Sequence, residues 1–573
     1  MPVLYTRQTA YVNGIVNIAM ESLVQTLKKQ IQGGVSTDSS VRRRVSHDAS
    51  IYELIPDVVV EPHDVADVEK LVKLVTKYKK DFPKLSITPR SAGTDMSGGA
   101  IGNSIVIEMT PHLNAIKSLK KNILHVQPGA YIRTIDPLLD KNGLQLGSAP
   151  ASRAISTIGG MVANNAGGEQ SLRYGNTDKS VRELQVVLAD GKSYTIKPLT
   201  KKQLDRKIAE KTYESELYRR VFELVDRNYD TVRNARPHVN KNSMGYNLWS
   251  VWDRETGIFD MTQLFTGSQG TLGVITDIKI EAVPKAPYSA LLLAYLPSLK
   301  YLGEVIETVM AHKPATFEGF DDITFNLGIR YFKTFRKQLG TREYVRQQAH
   351  LIKKVAKFKG HLPNILLMIE FDGASQAEVI QKISNLHDDL KKYKIRMDIE
   401  SDEKASAPFW SIRRAALSLL RNQVKGRYAS PFIDDMIIPP RYVPKFIPEL
   451  RRIIRKYKLP ATIQGHFGDG NFHIIPLMDI AGTKDQAKLE PVMRELIPIV
   501  LKYGGSMAGE HNDGMVRGSW LPAVFGKEAY ALFREVKEIF DPQYIFNPHK
   551  KTDASWDFSM SHIRSHNHNG LIK

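Results

Sequence analysis

Residues 88–99 run Thr88-Pro-Arg-Ser-Ala-Gly-Thr-Asp-Met-Ser-Gly-Gly99. Three glycines among small hydroxyl residues let backbone N–H groups converge on an anion, a diphosphate above all; an ordinary glycine-rich turn is the alternative. The chain before this loop carries a β-branched run (Val58 to Val60) and Asp64, a helix cap ahead of Val65, Val68, Leu71, Val72 and Val75 at helical spacing. Leu85 to Thr88 and Ile105 to Met109 are strand candidates on either side of the loop. This is an α+β unit with a glycine loop in its middle.

A second stretch reads Gly147-Ser-Ala-Pro150, then Thr157-Ile-Gly-Gly-Met-Val-Ala-Asn-Asn-Ala-Gly-Gly168, then Tyr174-Gly175. So many small residues let backbone lie flat against a planar ligand, with Asn164 and Asn165 offering amides; tight turns and close strand crossings are the alternative. A third, Phe265-Thr-Gly-Ser-Gln-Gly-Thr-Leu-Gly273, precedes a β-branched strand, Val274 to Ile280. Otherwise residues 120–285 read as short strands, including a hairpin at Asp190-Gly191 between Leu184–Leu188 and Ser193–Ile196. Pro284 and Pro287 suggest a boundary. Beyond it, amphipathic helices alternate with strands. One helix starts at Ser375, with Glu378 as a capping box and Val379, Ile383, Leu386 and Leu390 on one face. A last helix, Lys527 to Phe540, ends before Pro542, and the polar tail after Lys551 is expected to be loose.

The chain has 573 residues, 42% hydrophobic and 25% charged, an ordinary globular composition. It contains no cysteine, which excludes disulfides, thiolate metal sites, a cysteine nucleophile and cysteine-ligated iron–sulfur clusters. Redox chemistry would therefore come from a cofactor held without sulfur. With 80 Lys and Arg against 61 Asp and Glu, the formal net charge is +19. That admits nucleic acid, an anionic membrane surface or acidic small molecules, but the basic residues are scattered. No signal peptide and no apolar run long enough to span a bilayer is read. The expected location is cytoplasmic, with peripheral contact at the inner face of a membrane.

Downstream lies Gly465-His-Phe-Gly-Asp-Gly-Asn-Phe-His473. Taking Gly468 to Asn471 as a turn sets Phe467 against Phe472 and makes His466 and His473 the next directly opposed pair, close enough to share a divalent metal. Glu510, in Gly504-Gly-Ser-Met-Ala-Gly-Glu-His-Asn-Asp-Gly514, could complete that site. In a strand, Glu510 and His511 would point to opposite faces, leaving His511 to act as a base. Buried polar residues satisfying turns are the competing reading.

The three glycine loops resemble the FAD-binding domain of the vanillyl-alcohol-oxidase type flavoproteins, and the downstream motifs resemble their D-2-hydroxy-acid dehydrogenase branch. These motifs are His466, His473, Glu510 and His511, with Trp410-Ser-Ile-Arg413 and Phe540-Asp-Pro to Asn547-Pro548; Asn242 to Leu248 and Phe432 to Pro439 look closest to members fused to an iron–sulfur domain. The likeness runs from about residue 52 to 550. It implies an α+β fold, with a two-subdomain FAD-binding domain of the PCMH type (51–285), an α+β substrate or cap domain (286–500) and a C-terminal helical segment completing the site (501–550); on either side the residues themselves read as an N-terminal helical lead-in (1–50) and a polar tail (551–573).

The resemblance implies FAD contacts at Pro89, Arg90, Ser91, Ala92, Gly93, Thr94, Asp95, Ser97 and Gly98 in the first loop. In the second it implies Pro150, Thr157, Gly159, Gly160, Ala163, Asn164, Asn165, Gly167, Gly168, Tyr174 and Gly175. In the third it implies Gln269, Gly270, Gly273, Val274 and Ile275, with Asn547 from the C-terminal segment. The FAD is expected to be noncovalent, because Thr94 follows Gly93 where tethering members carry histidine. A divalent metal, zinc or manganese, is expected on His466, His473 and Glu510. His511 is expected as catalytic base and Arg413 as the holder of the substrate carboxylate.

The implied activity is oxidation of a D-2-hydroxy acid, D-lactate-like, to the 2-oxo acid by hydride transfer to flavin. A separate acceptor (quinone, iron–sulfur or electron-transfer protein) is expected to take the electrons, since without cysteine the chain lacks an iron–sulfur extension. No nucleic-acid partner is expected. The rival readings are a flavin oxidase of an alcohol or sugar lactone using oxygen, and a basic nucleic-acid or membrane-surface binding protein without catalysis. Three positions depart from the family pattern: Asn512, where glycine is usual; Gln269, where glutamate is usual; and Ile475, where 2-hydroxyglutarate-specific members carry a polar residue.

Overall fold

A computed structural model describes residues 21–330, 336, 340–358, 362–423 and 428–564. Of the five sheets among the described residues, the three larger ones organise the fold. The first joins β1 (Gly34–Ser36), β2 (Val58–Glu61), β3 (Ile87–Arg90) and β4 (Ile105–Glu108) in the order β1-β2-β4-β3, with β2, β4 and β3 parallel. The parallel strands β2 and β4 are buried and rich in β-branched residues, while β1 runs antiparallel at the exposed edge. Helix α1 (Val65–Tyr78) is capped by Asp64, which accepts from Asp67 N at 3.1 Å, and buries Val68, Leu71, Val72 and Val75, as the spacing requires.

The second sheet is antiparallel, with β5 (Ile116–Lys120), β6 (Ile123–Val126), β7 (Val181–Val187), β8 (Ser193–Ile196) and β9 (Val274–Glu281) in the order β5-β6-β9-β7-β8. The Asp190-Gly191 hairpin forms as read. The reading of residues 120–285 as mostly strand is corrected: between β8 and β9 lie helices Lys201–Ala209, Tyr213–Arg227 and Tyr229–Asn234. Two capping boxes, Thr200/Gln203 and Thr212/Ser215, start the first two of these helices.

The third sheet has eight strands. Its main path runs through β13 (Arg396–Glu400), β10 (Tyr288–Leu296), β12 (Ile365–Gly373), β11 (Thr316–Asp321), β15 (Ala461–His466), β16 (Asn471–Met478) and β14 (Tyr428–Ala429). Helix α3 (Gln376–Leu390) covers one face with Val379, Ile383, Leu386 and Leu390. Helices α2 (Thr341–Ala356) and α4 (Glu403–Gln423) serve a second core cluster with Leu291, Leu293, Phe320, Leu351 and Trp410. The last long helix, α5 (Leu521–Phe540), is kinked at Gly526 and stops at Asp541.

The tail is not loose over its described part. Lys551 is buried against Asp513 at 2.7 Å, a helix spans Trp556–Ser561, and Ile563 pairs with Tyr52. Among the described residues no helix is long and apolar enough to cross a membrane.

Candidate active site

The three glycine loops, some 170 residues apart from first to last, line one cavity. Residues Pro89 to Asp95 form one wall, Gly159, Gly160, Ala163 and Asn164 a second, and Gln269, Gly270, Gly273 and Ile275 a third. Glycine is required where backbone meets backbone or a rigid neighbour. A Cβ on Gly159 would lie 2.4 Å from Pro128 Cβ and 2.7 Å from its carbonyl, and Gly93 sits at φ 65°, the left-handed conformation that favours glycine. The loops lock together by side chains. Asp95 accepts from Ser97 N, Ser97 Oγ and Gly99 N on one oxygen and from Asn164 Nδ2 (2.6 Å) on the other. Gln269 (φ 52°) donates to Ser97 Oγ (2.9 Å) and Asn164 Oδ1 (3.2 Å) and accepts from Gly514 N.

The cavity suits an FAD. Asp95 is the sole acid lining it, and both its oxygens are consumed by donors from the protein, so the anionic diphosphate would meet backbone N–H groups and no free carboxylate. Several expected contacts stand behind the wall. Asn547 braces it, donating to Gly99 O and Gln269 O, while Thr157 caps the helix Ile158–Asn164. Asn165 accepts from Asp178 N, Val274 is buried in the core, and Tyr174 packs on Gly147. Gly167 turns the other way: a Cβ there would meet Glu510 Oε2 at 2.5 Å. Gly168, Pro150 and Ala149 form a close backbone crossing beside it.

That contact leads to the histidines. In the β15–β16 hairpin His466 opposes Asn471 and His473 opposes Gln464, two residues off the expected pairing. Phe467 belongs to the turn, whose amides at Asp469 and Gly470 donate to His466 O and Phe467 O. A slip of two preserves the face, so His466 and His473 meet as diagonal neighbours with ring centroids 5.3 Å apart. Residues Gly509 to His511 are a bend and no strand. The expected split of Glu510 and His511 to opposite faces is therefore corrected: both turn to the same cluster. Glu510 Oε1 lies 3.3 Å from His466 Nε2, 3.2 Å from His473 Nε2 and 3.7 Å from His511 Nε2, and the rings of His473 and His511 stack at 4.9 Å.

Four groups that sequence reasoning missed hold this cluster. Asp434 accepts on one oxygen from His473 Nδ1 (3.2 Å) and on the other from His511 Nδ1 (2.7 Å). Asp435 Oδ2 accepts from the backbone N of both Glu510 and His511. One donor atom each from Asp435, His473, Glu510 and His511 falls within 4.8 Å of the others, so Asp435 joins the candidate metal ligands and His466 stands at their margin. Glu318 accepts from His466 Nδ1 at 2.5 Å and pairs with Arg413 through Nε (2.9 Å) and Nη2 (2.8 Å). Lys241, fully buried, lies 3.1 Å from Asp469 and 3.5 Å from Glu510 Oε2. The Asp434-Asp435 pair inside the apolar run Phe432 to Pro439 was a legible signal, as was Lys241 immediately before Asn242.

The charges balance internally. Burial would raise Glu510, but Lys241 and His466 hold it well below the carboxylate range. Burial would likewise raise Asp434, and His511 and His473 outweigh it downward. Burial would depress His466, yet Glu318 lifts it to about 9. His511 is pulled down by burial and lifted by Asp435 and Asp434 to about 10. Imidazoles anchored at Nδ1, with Nε2 turned toward one carboxylate, are a donor set for a divalent ion.

Asn512, at φ 61°, adopts the left-handed conformation that favours glycine. Its side chain donates to Asn164 O and Gly267 O and accepts from Lys551 Nζ, tying the histidine bend to the second and third loops. Ile475 lies on the face of His473, buried with Ala429 and covered by the half-buried Leu477.

Residues 56–197 match the family described as FAD binding domain, and residues 285–551 match FAD linked oxidases, C-terminal domain. The chain is 26% identical to a D-2-hydroxyglutarate dehydrogenase of Pseudomonas putida, over 91% of this chain and 50% of that one. It thus spans about half the length of the D-2-hydroxyglutarate dehydrogenases it matches. It is also 26% identical to the glycolate oxidase subunit GlcD of Bacillus subtilis, covering 91% of this chain and 95% of that one. Among solved structures, 4-ethylphenol oxidase from Gulosibacter chungangensis shares the fold with a TM-score of 0.66 at 13% identity, covering 94% and 98% of the two chains.

Proposed function

From the premise that this chain belongs to the FAD-linked oxidases and is an FAD-dependent oxidoreductase, we propose that it oxidises a small D-2-hydroxy acid, D-lactate-like, to the 2-oxo acid. The observation carrying this reading is the meeting of Glu510 with three imidazole Nε2 atoms directly behind Gly167 of the second glycine loop. Proton-handling groups thereby adjoin the loop expected to line the flavin. The proteins named D-2-hydroxyglutarate dehydrogenase, glycolate oxidase subunit and probable D-lactate dehydrogenase, which are its relatives, support the substrate class.

When bound, FAD supplies a hydride acceptor and a divalent ion on His466, His473 and Glu510, with Asp435 as a further donor, supplies a Lewis acid. His511 receives the hydroxyl proton at Nε2, since Asp434 holds its Nδ1 at 2.7 Å and fixes the tautomer. The carboxylates that orient His511 also keep it protonated up to about 10, so it can serve as base only when their charge is countered in the filled site. Arg413 gives its Nε and one N–H of Nη2 to Glu318, which leaves Nη1 and the second Nη2 proton to meet a substrate carboxylate end-on. The apolar flank at Ile475 favours a short side chain over a second carboxylate.

A quinone or an electron-transfer protein would reoxidise the flavin. The test is anaerobic: D-lactate, D-2-hydroxyglutarate, glycolate and L-lactate are added in turn and flavin absorbance is followed. D-Lactate should bleach the flavin most readily, and His511→Ala should keep its FAD while losing the bleaching. A flavin reduced by dithionite but by none of the four acids would rule the reading out.

A further inference from the structure

Helix α2 carries two apolar stripes where docking on the protein needs one. Tyr344, Leu351, Val355 and Phe358 face the core shared with Phe325 and Trp410. On the far side, Val345, Ala349, Ile352 and Ala356 recur at spacings of 4, 3 and 4 and are all exposed, Val345 and Ile352 at 56% each. At about 100° per residue these four share one arc of the helix, extending roughly 16 Å along its axis. The neighbouring arc holds Arg342, Arg346, Lys353 and Lys357, likewise exposed. Arg346, Lys353 and Lys404 line a groove between α2 and the start of α4, together with His350 and Asp402.

The acids nearby are already engaged. Glu343 pairs with Arg346, Asp402 accepts from Ala405 N at 2.9 Å, and Glu400 pairs with His350 and Lys354. Asp402 keeps its charge while capping that N–H and offsets one of Arg342, Lys353, Lys357 and Lys404, which leaves the face net positive beside an apolar stripe.

We propose that this face of α2 docks the protein on an anionic lipid surface. The stripe would sit at the boundary of headgroups and acyl chains, and the cations on its flank and in the groove would meet lipid phosphates. Apolar and cationic arcs side by side on one helix are the arrangement that binds in the plane of such a surface. A second copy of the chain fits poorly, because a symmetric contact would bring two cationic arcs together in a molecule of net charge +19. The docked helix packs on α4, the helix that carries Arg413, so membrane contact and the candidate substrate site share an element. The inference does not depend on which acid the site takes.

The test is co-sedimentation of the full chain with vesicles of phosphatidylcholine and of an equimolar phosphatidylcholine–phosphatidylglycerol mixture. Binding is expected to the mixed vesicles only and should weaken as salt rises. Val345→Ser with Ile352→Ser, and separately Arg342→Glu with Lys353→Glu and Lys357→Glu, should each lower the partition coefficient on the order of tenfold or more, with flavin content and thermal stability retained. The proposal is overturned if the parent chain ignores the mixed vesicles, or if either folded variant binds them as the parent does. It is equally overturned by a dimer in solution that the two serines dissociate, which would assign the stripe to a second copy.

Discussion

Asp434 serves two imidazoles with one carboxylate, which makes its charge and its shape separable by experiment. In Asp434→Asn the amide keeps the volume, but one of its two polar atoms must face a ring nitrogen as a donor. Either His473 or His511 is then held in the wrong tautomer. Divalent-ion affinity by calorimetry and the rate of flavin reduction should both fall about 10- to 100-fold, while FAD content stays level. Lys241 tests charge alone. It faces Asp469 and Glu510 in a fully buried position, so Lys241→Met leaves Asp469 without its cation and Glu510 with the imidazoles alone. That should cost about 3–5 kcal/mol in the metal-free protein, measured by denaturant unfolding. The histidines add a pH dependence. His466 and His511 rise to about 9 and about 10 from an unfolded value near 6.5. A raised folded pKa gives stability that is complete below the unfolded value and is lost as pH climbs through the folded one. The metal-stripped protein should therefore melt at a lower temperature at pH 10 than at pH 7, and an unchanged midpoint would show that these imidazoles are not held protonated.

Packing between elements explains which parts of the site could be foreseen. His466 and His473 were recognisable as a pair because strand faces alternate with period two, so a slip of two residues in the hairpin left them on one side. The slip itself was not foreseeable: the stretch Gly468 to Asn471 looks like the whole turn, and only the docking of Phe467 against Phe317 and Phe472 draws Phe467 out of the ladder. The glycine loops were legible because each position has a local cause. Glu318 and Lys241 were hidden because their partners lie 148 and 228 residues away in sequence, at His466 and Asp469. Gly167 is where these two kinds of information meet. Glycine-rich backbone was evident there, but its target, Glu510 Oε2 at 2.5 Å from the Cβ position, was not. Gly167→Ala should push Glu510 from the imidazoles and lower the rate of flavin reduction on the order of a hundredfold, with the flavin still bound. If the rate survives, the glycine is there for the fold and not for the carboxylate.

Across the whole molecule, the C-terminal chain closes the assembly, and this the polar composition of the tail concealed. Asn547 ties the first and third glycine loops, Lys551 reaches Asp513 and Asn512, and Lys537 donates to Phe546 O. Further on, Glu53 N donates to His562 O, Arg564 N to Ile51 O, and the Arg564 guanidinium to the carbonyls of Tyr52 and Asp48. Residues 48–53 in turn touch the first loop, where Ala49 N donates to Asp95 O at 2.8 Å. Ser555, Asp557 and Ser561 are exposed, but Lys551, Ser559 and Arg564 are turned inward. They are backbone-satisfying groups in a strap, a role that depends on partners some 500 residues away and leaves no local pattern. The consequence is measurable. Ending the chain after Thr552 keeps Asn547 and Lys551 but removes the hydrogen bonds that His562 and Arg564 make to residues 48–53. The first loop then loses its outer support, and FAD affinity should drop on the order of tenfold with a melting point several degrees lower. Arg564→Ala, which deletes only charge-assisted bonds to two carbonyls, should cost about 1.5–3 kcal/mol and a smaller part of the affinity. Truncated protein that binds FAD as tightly as the full chain would mean that Asn547 and Asp95 hold the loop without the strap.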